Sequence, residues 1–421
     1  MNAAILTIGD ELLEGRSVDG NAAWLGEQLD LMGLSVTRSL TVGDDRAAIR
    51  EALRWAYEDA GFVVTTGGLG PTDDDLTREA VAAFTGRELI FHEDVFARIQ
   101  QMFAERGRTP PASNRSQALV PEGATVLPNP KGTAPGLWHA ANDKLLAVLP
   151  GVPAEMRHLF EHEVRSRLRE RRDGQVIRHR TICTAGIGES HLHERIGDVS
   201  DLVSAATKLA FLPSPQGVRL RLTARGDDEV VVEERLDRLE ERLRERAERY
   251  IFGTGSDTTI EAVAGTMLRD RSLTVAVAES CTGGYVANRI TSVSGSSAYF
   301  EGGVVAYSYA SKTSLLDVSV DDLREVGAVS EAVARQMAEG VRRRFQADVG
   351  LATTGIAGPT GGTPDKPVGT VWIGCARRGE GVEAKLLNLT EERALNKALS
   401  CTALLNFLRR LLSDEKQPRP A

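Results

Sequence analysis

Short apolar runs alternate with amphipathic stretches along the first part of the chain. Apolar, β-rich runs predict strands at residues 3–8, 35–41, 62–66 and 144–149. Apolar residues at helical spacing between these runs predict helices at 21–32, 46–60, 76–84 and 95–106. Strands that alternate with helices are typical of an α/β fold with a mostly parallel sheet. We place this first domain at residues 1–168.

The pattern changes in the next section. It predicts strands at residues 176–184, 209–212 and 218–225, and a long charged helix at 229–249. This order predicts a small mixed α/β module over residues 169–252. The Gly, Ser and Thr residues of the following segment predict a flexible linker at 253–259.

The last large section predicts a second α/β unit at residues 260–412. Its predicted strands are 274–278, 302–307, 347–353 and 369–376, and its predicted helices are 260–270, 330–345 and two that begin near 284 and 392. The remaining residues, 413–421, are polar and contain proline, so they predict a disordered tail.

Composition supports a soluble protein of several domains. The chain has 421 residues, which is more than one ordinary hydrophobic core accommodates. Its 42% hydrophobic content and mean hydropathy of -0.20 are those of globular proteins, and its net charge of -8 disfavours wholesale binding of nucleic acid. The first apolar run is too short for a signal peptide or a membrane span. We therefore expect a cytoplasmic protein that does not contact membranes.

The spacing of the cysteines argues against two kinds of cysteine site. The cysteines are far apart and form no C-x-x-C pair, so the sequence indicates neither a zinc knuckle nor a disulfide framework. They are Cys183, Cys281, Cys375 and Cys401.

A strand, a turn and a helix are predicted around the segment TVAVAESCTGGYVANRI, which places Ser280 in the turn. All seven histidines precede residue 194, so a base for Ser280 within this domain has to be a lysine, a tyrosine or a carboxylate. Tyr307 and Lys312 follow a predicted strand and would lie at the same sheet edge. The alternative is structural, with Ser280 as a helix N-cap and Lys312 as a solvated lysine.

A third segment, TTGIAGPTGGTPDKPVGTVW, begins at Thr353 and breaks a strand with repeated glycines. Such a loop lets main-chain N–H groups approach an anion closely, although an isolated glycine loop also occurs as a surface turn. The spacing of a P-loop is absent.

These motifs carry a resemblance. The segments ESCTGG, GAVSEAVARQMAEG and TTGIAGPTGGTPDKPVGTVW, with the Tyr307-x4-Lys312 pair, resemble the C-terminal domain of the CinA family, the nicotinamide-nucleotide amidohydrolases, over residues 261–411. The resemblance implies hydrolysis of the carboxamide of nicotinamide mononucleotide (NMN) to nicotinate mononucleotide and ammonia, without a cofactor. It implies Ser280 as the nucleophile, Lys312 as its base, and Tyr307 as a relay or orienting group. Cys281 is the rival nucleophile.

The resemblance also implies residues that contact the substrate. The N–H groups of Thr282, Gly283 and Gly284 would form the oxyanion hole or hold the phosphate. Contacts on the opposite wall are expected from Thr354, Gly355, Ala357 and Gly358. One departure from the family occurs where its arginine is expected, near Asn396. Phosphate binding from that side would then depend on Lys397 or Arg393.

The first domain carries acidic residues beside a glycine turn. Asp10 and Glu11 follow the first predicted strand, and three aspartates, residues 73–75, follow the turn at residues 67–70. Carboxylates repel a bare phosphate, so a nucleotide at this place requires a divalent ion. Alternatively, the three aspartates only cap the helix that begins at Leu76.

The segments IGDELLEG, TTGGLGPTDDDLTREA, NPKGTAPG and LPGVPAEM resemble the N-terminal domain of CinA proteins, which is similar to the MoaB/MogA molybdopterin-binding fold. This implies an ADP-ribose pyrophosphatase that depends on a divalent metal of the Mg, Mn or Co class. The implied metal ligands are Asp74, Asp75 and Asp10, and the implied phosphate contacts are Gly67, Gly68, Lys131 and Gly132. Molybdopterin binding is the competing interpretation.

The middle section resembles the KH-like insert of full-length CinA proteins. Its segment GIGE, residues 186–189, fits the G-x-x-G clamp of RNA-binding KH domains, but we expect a structural and dimerising role and no nucleic-acid partner. The predicted fold class is α/β: a three-layer MoaB/MogA-like domain, a KH-like α+β module and a second α/β amidohydrolase domain. The family implies a homodimeric, bifunctional enzyme of pyridine-nucleotide salvage. The alternative is a competence or DNA-damage interaction protein without catalysis.

Overall fold

The computed structural model describes residues 1–141, 143–170 and 176–414. The chain separates into two compact units, Met1–Ile177 and Arg178–Ala421. Within the described ranges, no helix combines the length and the apolar character that a membrane crossing requires.

The first unit is built on a mixed sheet with the strand order β2-β1-β3-β8-β7-β6. Its strands are β1 (Asn2–Ile8), β2 (Ser35–Val42), β3 (Phe62–Thr66), β4 (Leu89–Phe91), β5 (Leu119–Pro121), β6 (Thr125–Leu127), β7 (Gly136–Ala141) and β8 (Lys144–Leu149). Its helices are α1 (Asp10–Leu13), α2 (Gly20–Leu31), α3 (Arg46–Asp59), α4 (Thr77–Thr85), α5 (Glu93–Ala104), α6 (Pro153–Leu159) and α7 (Arg165–Glu170). Strands β2, β1, β3 and β8 run parallel. Strand β7 pairs antiparallel with β8, and β6 pairs antiparallel with β7.

Helices cover both faces of this sheet. Successive side chains of a strand point to opposite faces, so Phe62 and Val64 pack in one core cluster and Val63 in another. Leu29 of α2 belongs to the first cluster and Leu53 of α3 to the second. The unit therefore has three layers, and its central strands are largely apolar because both of their faces are buried.

The second unit contains two sheets. The strand β9 (Val176–Thr184) leads into it, and the further strands are β10 (Thr207–Ser214), β11 (Gly217–Gly226), β12 (Ile251–Thr254), β13 (Val275–Glu279), β14 (Phe300–Val305), β15 (Val349–Gly355), β16 (Thr370–Arg377) and β17 (Gly381–Asn388). The helices are α8 (Glu189–Ile196), α9 (Glu229–Ala247), α10 (Ile260–Asp270), α11 (Tyr285–Thr291), α12 (Tyr309–Leu316), α13 (Val320–Glu325), α14 (Glu331–Arg344) and α15 (Arg393–Asp414).

The sheet of the middle module has the order β10-β11-β9-β12, and it changes the prediction for the linker. Strand β12 pairs with β9 through Ile251 and Gly253. Residues 253 and 254, which we predicted as the start of a flexible linker, are therefore part of the sheet. The glycine content of this segment misled the prediction, because the pairing depends on β9 and not on local sequence.

The C-terminal sheet has the order β14-β13-β15-β16-β17, with β14, β13 and β15 parallel. Carboxyl ends of parallel strands meet at one edge, and this edge is where open α/β sheets bind ligands. The turn that holds Ser280, the segment before Lys312 and the glycine loop after β15 all start from this edge. The last helix, α15, includes Ser413 and Asp414, so the predicted tail does not begin at 413. Residues 415–421 lie outside the described residues.

Candidate functional site

Ser280 and Lys312 form a buried pair at the carboxyl edge of the C-terminal sheet. The amine Nζ of Lys312 lies 2.9 Å from Ser280 Oγ. It also donates to the main-chain carbonyls of Ala306 and Tyr307, at 2.7 and 3.2 Å. Lys312 is 1% exposed and Ser280 is 8% exposed. Lys312 is therefore not a solvated lysine, and Ser280 forms no N-cap hydrogen bond, since the cap residue of α11 is Gly284.

Burial changes the chemistry of this lysine. A low-dielectric environment disfavours the charged amine and lowers the pKa of Lys312 to about 8. A substantial fraction of the side chain is therefore neutral at mildly alkaline pH. The two carbonyl contacts can take the two N–H bonds of the neutral amine, and its lone pair is then directed at the Ser280 hydroxyl.

The position of Lys312 depends on the start of α12. Ser308 and Ser311 form a reciprocal cap, in which Ser308 Oγ accepts from Ser311 N at 3.1 Å and Ser311 Oγ accepts from Ser308 N at 3.0 Å. The main-chain N–H of Lys312 donates to Ser308 O, so the cap fixes the helix one turn before the lysine.

The rival nucleophile lies beside the pair but is poorly suited to attack. Cys281 is buried, and burial raises the pKa of its thiol to about 11. The reactive form of cysteine is the thiolate, which is scarce at such a pKa. The geometry therefore favours Ser280 over Cys281.

The turn after Ser280 is held by a carboxylate that the sequence did not single out. Glu279, the last residue of β13, accepts hydrogen bonds from the N–H groups of Gly284, Val286 and Ala287 at 2.9, 3.1 and 2.8 Å. The Gly284 N–H, which was predicted to contact the substrate, therefore already has an acceptor within the protein. Within the described residues, the N–H groups of Thr282 and Gly283 have no protein acceptor.

Side chains at the start of this turn are joined to the neighbouring strand. The hydroxyls of Thr282 and Thr353 lie 2.6 Å apart, and the Ser280 N–H donates to Thr353 O at 3.0 Å. Both threonines are fully buried. Positive φ angles of 60° at Gly283 and 95° at Gly284 complete the turn, and non-glycine residues rarely adopt them.

The opposite wall consists of the end of β15 and the loop that follows. Thr354 Oγ1 donates to Ala328 O at 2.7 Å, and Gly355 pairs with Val371 of β16. The carbonyls of Ala357 and Gly358 accept from side chains of α15, at 2.9 and 3.0 Å. The predicted contact residues thus lie together, and their main chain is fixed by the protein.

The side chains of α15 that hold this wall revise the expectation for Asn396. Asn396 is fully buried, and its amide donates to the carbonyls of Ala357 and Thr390 while its Oδ1 accepts from Thr390. It stabilises the loop and does not face a ligand. Arg393 and Lys397 do lie beside the turn and the wall: Arg393 contacts Gly358 O, and Lys397 Nζ lies 3.9 Å from where a Cβ on Gly283 would stand.

Tyr307 contacts two of the cations in different ways. Its main-chain carbonyl accepts from Lys312, whereas its hydroxyl accepts from Arg393 Nη2 at 3.2 Å. The side chain is 59% exposed. The phenol of Tyr307, which was predicted to relay or orient a proton, therefore contacts Arg393. The contact of Tyr307 with Lys312 is made by its main-chain carbonyl.

The first unit contains a cleft of about 430 Å³ beside the glycine turn. Its lining includes Glu11, Asp44, the turn residues 67–70, Asp74, Asp75, Thr133 and Glu155. The cleft therefore combines the glycine turn with several carboxylates, as the sequence predicted for this edge.

The predicted phosphate contacts are partly occupied by protein. The N–H of Gly67 donates to Leu149 O at 3.1 Å, and those of Lys131 and Gly132 donate to Asn129 Oδ1 at 3.0 and 3.2 Å. The carbonyl of Gly68 accepts from Thr77 N at 3.2 Å. Three of the four main-chain donors are thus used. The Gly68 N–H, which has no protein acceptor among the described residues, and the exposed side chain of Lys131 are the contacts that still fit the prediction.

The predicted metal ligands differ in their availability. Both oxygens of Asp75 bind the turn, from Gly70 N at 2.7 Å and Thr72 N at 2.9 Å, and Asp10 Oδ1 accepts from Asp44 N at 3.1 Å. Asp74 is exposed, and a hydrogen bond from Thr72 lowers the pKa of its carboxyl. Among the described residues, no group of three or more His, Cys, Asp or Glu side chains is arranged to hold a metal ion.

Charge crowding is nevertheless present at this cleft. The pKa of the Asp44 carboxyl is raised by burial and by the negative charges of Asp10, Glu11 and Asp74. The alternative role of the aspartates is not supported, because α4 starts without a side-chain cap.

Two residues that shape this cleft were not predicted from the sequence. Asn129 Nδ2 donates to Glu155 Oε2 at 2.6 Å and to Ala134 O at 2.8 Å. The buried Arg78 donates to the carbonyls of Leu69 and Gly70 at 2.7 and 3.0 Å and so fixes the glycine turn. Arg78 lies in the motif TTGGLGPTDDDLTREA, and Asn129 begins the motif NPKGTAPG. An Asn before Pro-Lys-Gly is a signal that its side chain holds the loop.

The GIGE turn of the middle module faces the last helix. An ideal Cβ on Gly186 would stand 2.7 Å from Asn406 Nδ2 of α15. Arg409 of the same helix donates to the carbonyls of Arg249 and Ile251 at 3.2 and 3.4 Å, and Thr402 donates to Pro215 O at 3.2 Å. These contacts lie beside the turn and do not cover it, since Gly186, Gly188 and Glu189 are exposed.

Comparison with known proteins places three family models on the chain. The model described as the CinA C-terminal domain matches residues 257–412, the probable molybdopterin binding domain matches 4–170, and the damage-inducible protein CinA KH domain matches 179–253.

Similar proteins extend over the full length. A CinA-like protein of Salinibacter ruber is 51% identical over 414 residues, which are 98% of this chain and 100% of that protein. A CinA-like protein of Gemmatimonas aurantiaca is 44% identical over 99% of this chain and 97% of its own length. A solved structure of the protein CinA, with unknown function, from Thermoplasma acidophilum is 40% identical and covers 39% of this chain and 96% of its own, with a TM-score of 0.37.

Proposed function

The chain belongs to the CinA family, and we propose that its C-terminal domain hydrolyses the carboxamide of NMN to nicotinate mononucleotide and ammonia. The observation that carries this proposal is the 2.9 Å contact between a buried lysine amine and the Ser280 hydroxyl. Serine–lysine pairs act as nucleophile and base when the pKa of the lysine is lowered, and burial lowers it here.

The reaction proceeds in two halves on these residues. Neutral Lys312 takes the proton of Ser280 as Oγ attacks the carboxamide carbon, and the N–H groups of Thr282 and Gly283 stabilise the oxyanion. Collapse of the tetrahedral intermediate breaks the C–N bond, and the proton on Lys312 passes to the leaving ammonia. Lys312 then deprotonates a water molecule that attacks the acyl-serine ester, so that nicotinate mononucleotide leaves and Ser280 is restored.

The cations of α15 fit the phosphate of the substrate. Lys397 lies close to Gly283, and Arg393 is held between Gly358 O and the Tyr307 hydroxyl. A phosphate bound here receives charge-assisted hydrogen bonds, and the nicotinamide end of the same molecule then extends toward Ser280.

Lys397→Ala is expected to raise KM for NMN by about 10- to 100-fold with little change in kcat, because a lost charged hydrogen bond costs about 1.5–3 kcal/mol. Nicotinamide riboside, which lacks the phosphate, serves as the comparison substrate, and its KM should not change. Lys385→Ala, on exposed β17, is the matched control. An equal rise of KM for both substrates would show that Lys397 does not recognise the phosphate.

For the first unit we propose metal-dependent hydrolysis of ADP-ribose to AMP and ribose 5-phosphate. The observation in favour is the crowding of Asp10, Glu11, Asp44 and Asp74 at a cleft beside a glycine turn. Mg²⁺-type ions are usually held by one or two carboxylates together with substrate phosphates, so a site without a cage of three carboxylates suits them. The exposed Asp74 fits as the first ligand, whereas Asp75 and Asp10 are bound within the protein. A bound metal supplies a Lewis acid that neutralises charge on the phosphates.

Asp74→Asn is expected to lower ADP-ribose cleavage at least tenfold at fixed metal concentration, because an amide oxygen is a weaker ligand than a carboxylate. The measurement is AMP release by EDTA-treated protein with added Mg²⁺, Mn²⁺ or Co²⁺. Asp73→Asn, an exposed neighbour, is the control. Pterin binding without AMP release in the wild type would favour the molybdopterin role instead.

A further inference from the structure

Glu279 is a buried carboxylate at the end of the strand that leads to Ser280. It is 1% exposed, and its two oxygens accept the N–H groups of Gly284, Val286 and Ala287. A buried charge is costly unless hydrogen bonds satisfy it, and here the start of α11 satisfies it. The carboxylate and the start of α11 are therefore locked together.

This contact divides the main-chain donors of the turn into two groups. Gly284, Val286 and Ala287 donate to Glu279, and Tyr285 N donates to Thr282 O at 3.3 Å. A helix N-terminus usually attracts anions, but this one already holds an anion of the protein. The N–H groups just before it, at residues 281 to 283, donate to no other residue among those that the structure describes.

We propose that Glu279 is a positioning residue for Ser280 and its oxyanion donors, an inference that rests on the proposed amide hydrolysis. By holding the far end of the turn, it orients the N–H groups of Thr282 and Gly283 toward the carbon that Ser280 attacks. Glu279 acts through the turn and does not touch the substrate.

Two substitutions remove this function in different ways. Glu279→Gln keeps the size of the side chain but replaces one acceptor oxygen with an N–H₂ donor, which faces donors of the main chain. Glu279→Asp keeps the charge but is one methylene shorter. The matched control is Glu261→Gln, since Glu261 is another largely buried carboxylate of the same domain, paired with Arg289 at 2.5 Å and without contact to the turn.

The first measurement is the kinetics of NMN hydrolysis. We expect Glu279→Gln to lower kcat about 100-fold, the effect of losing an oxyanion-hole donor, with KM within about threefold. Glu261→Gln should be less stable to heat but should keep its kcat. A folded Glu279→Gln protein with wild-type kcat would overturn the proposal, and so would a rise in KM alone.

The second measurement does not need NMN to be the substrate. A fluorophosphonate probe forms a bond from Ser280 Oγ to phosphorus, expels fluoride and passes the serine proton to Lys312. Intact mass gives the labelling rate, which we expect to fall about 100-fold in Glu279→Gln and to stay unchanged in Glu261→Gln. Normal labelling of Glu279→Gln would overturn the positioning role. Labelling that depends on Glu279 in a protein without NMN hydrolysis would support it and reject only the substrate.

Discussion

Ser280→Ala is expected to lower kcat for NMN hydrolysis by a factor on the order of 10⁵, because removal of a serine nucleophile leaves only binding and oxyanion stabilisation. The substitution removes a single oxygen from a buried side chain, so folding should be preserved. The measurement is ammonia and nicotinate mononucleotide release at saturating NMN, together with thermal unfolding of both proteins.

Cys281→Ala is the matched control for Ser280→Ala. Cys281 is the neighbouring residue, its thiol is buried, and its raised pKa makes it a poor nucleophile, so this variant should keep most of its kcat. The assignment would be reversed if Cys281→Ala lost activity while Ser280→Ala kept it. Neither variant should alter ADP-ribose cleavage, which we assign to the first unit.

Lys312→Met is expected to lower kcat by about 10³- to 10⁴-fold, because it removes the general base and keeps a long side chain in the buried space. Its thermal stability should not fall greatly, since the variant no longer buries an amine whose charge burial disfavours. Lys312→Arg should be equally inactive, because arginine stays protonated in proteins. Substantial activity of either variant would exclude Lys312 as the base.

The pH dependence of the wild type provides a second readout for the lysine. The base acts when deprotonated, and the pKa of Lys312 is lowered from 10.5 to about 8. We therefore expect kcat/KM to rise about tenfold per pH unit below 8 and to level above it. With an ordinary lysine the rise would continue to above pH 10 before it levels, and the residual activity of Lys312→Met should lack the rise.

Much of the fold could be predicted because apolar periodicity is a local signal. The strand at 62–66 and the helix at 260–270 have the predicted bounds. Strands of three residues, such as β4 and β6, are too short to show a period. Edge strand β17 was not predicted, although its residues alternate between half-buried and exposed positions. The three family models confirm the predicted fold class: a MoaB/MogA-like domain, a CinA KH module and a CinA C-terminal domain.

The position of a site residue could be predicted only where that residue follows a predicted strand. Ser280 and Lys312 were placed at one edge because β13 and β14 are parallel, but the burial that lowers the lysine pKa depends on distant packing. The role of Asn396 could not be predicted for the same reason. The face of α15 that meets the glycine loop is set by tertiary contacts, and it buries Asn396 while Arg393 and Lys397 lie beside the turn.

The contacts of α15 with the middle module have a consequence for the evolution of the chain. Thr402 and Arg409 meet that module through hydrogen bonds to main-chain carbonyls, and water can replace such bonds when the partner is removed. A gene that encodes residues 257–412 alone would therefore leave these two polar positions hydrated, and the apolar contact that it would lose is that of Phe252 with the C-terminal core. The C-terminal domain, for which we propose amide hydrolysis, is in this sense portable at Thr402 and Arg409: fusion to the middle module requires no change of the helix that carries Arg393 and Lys397.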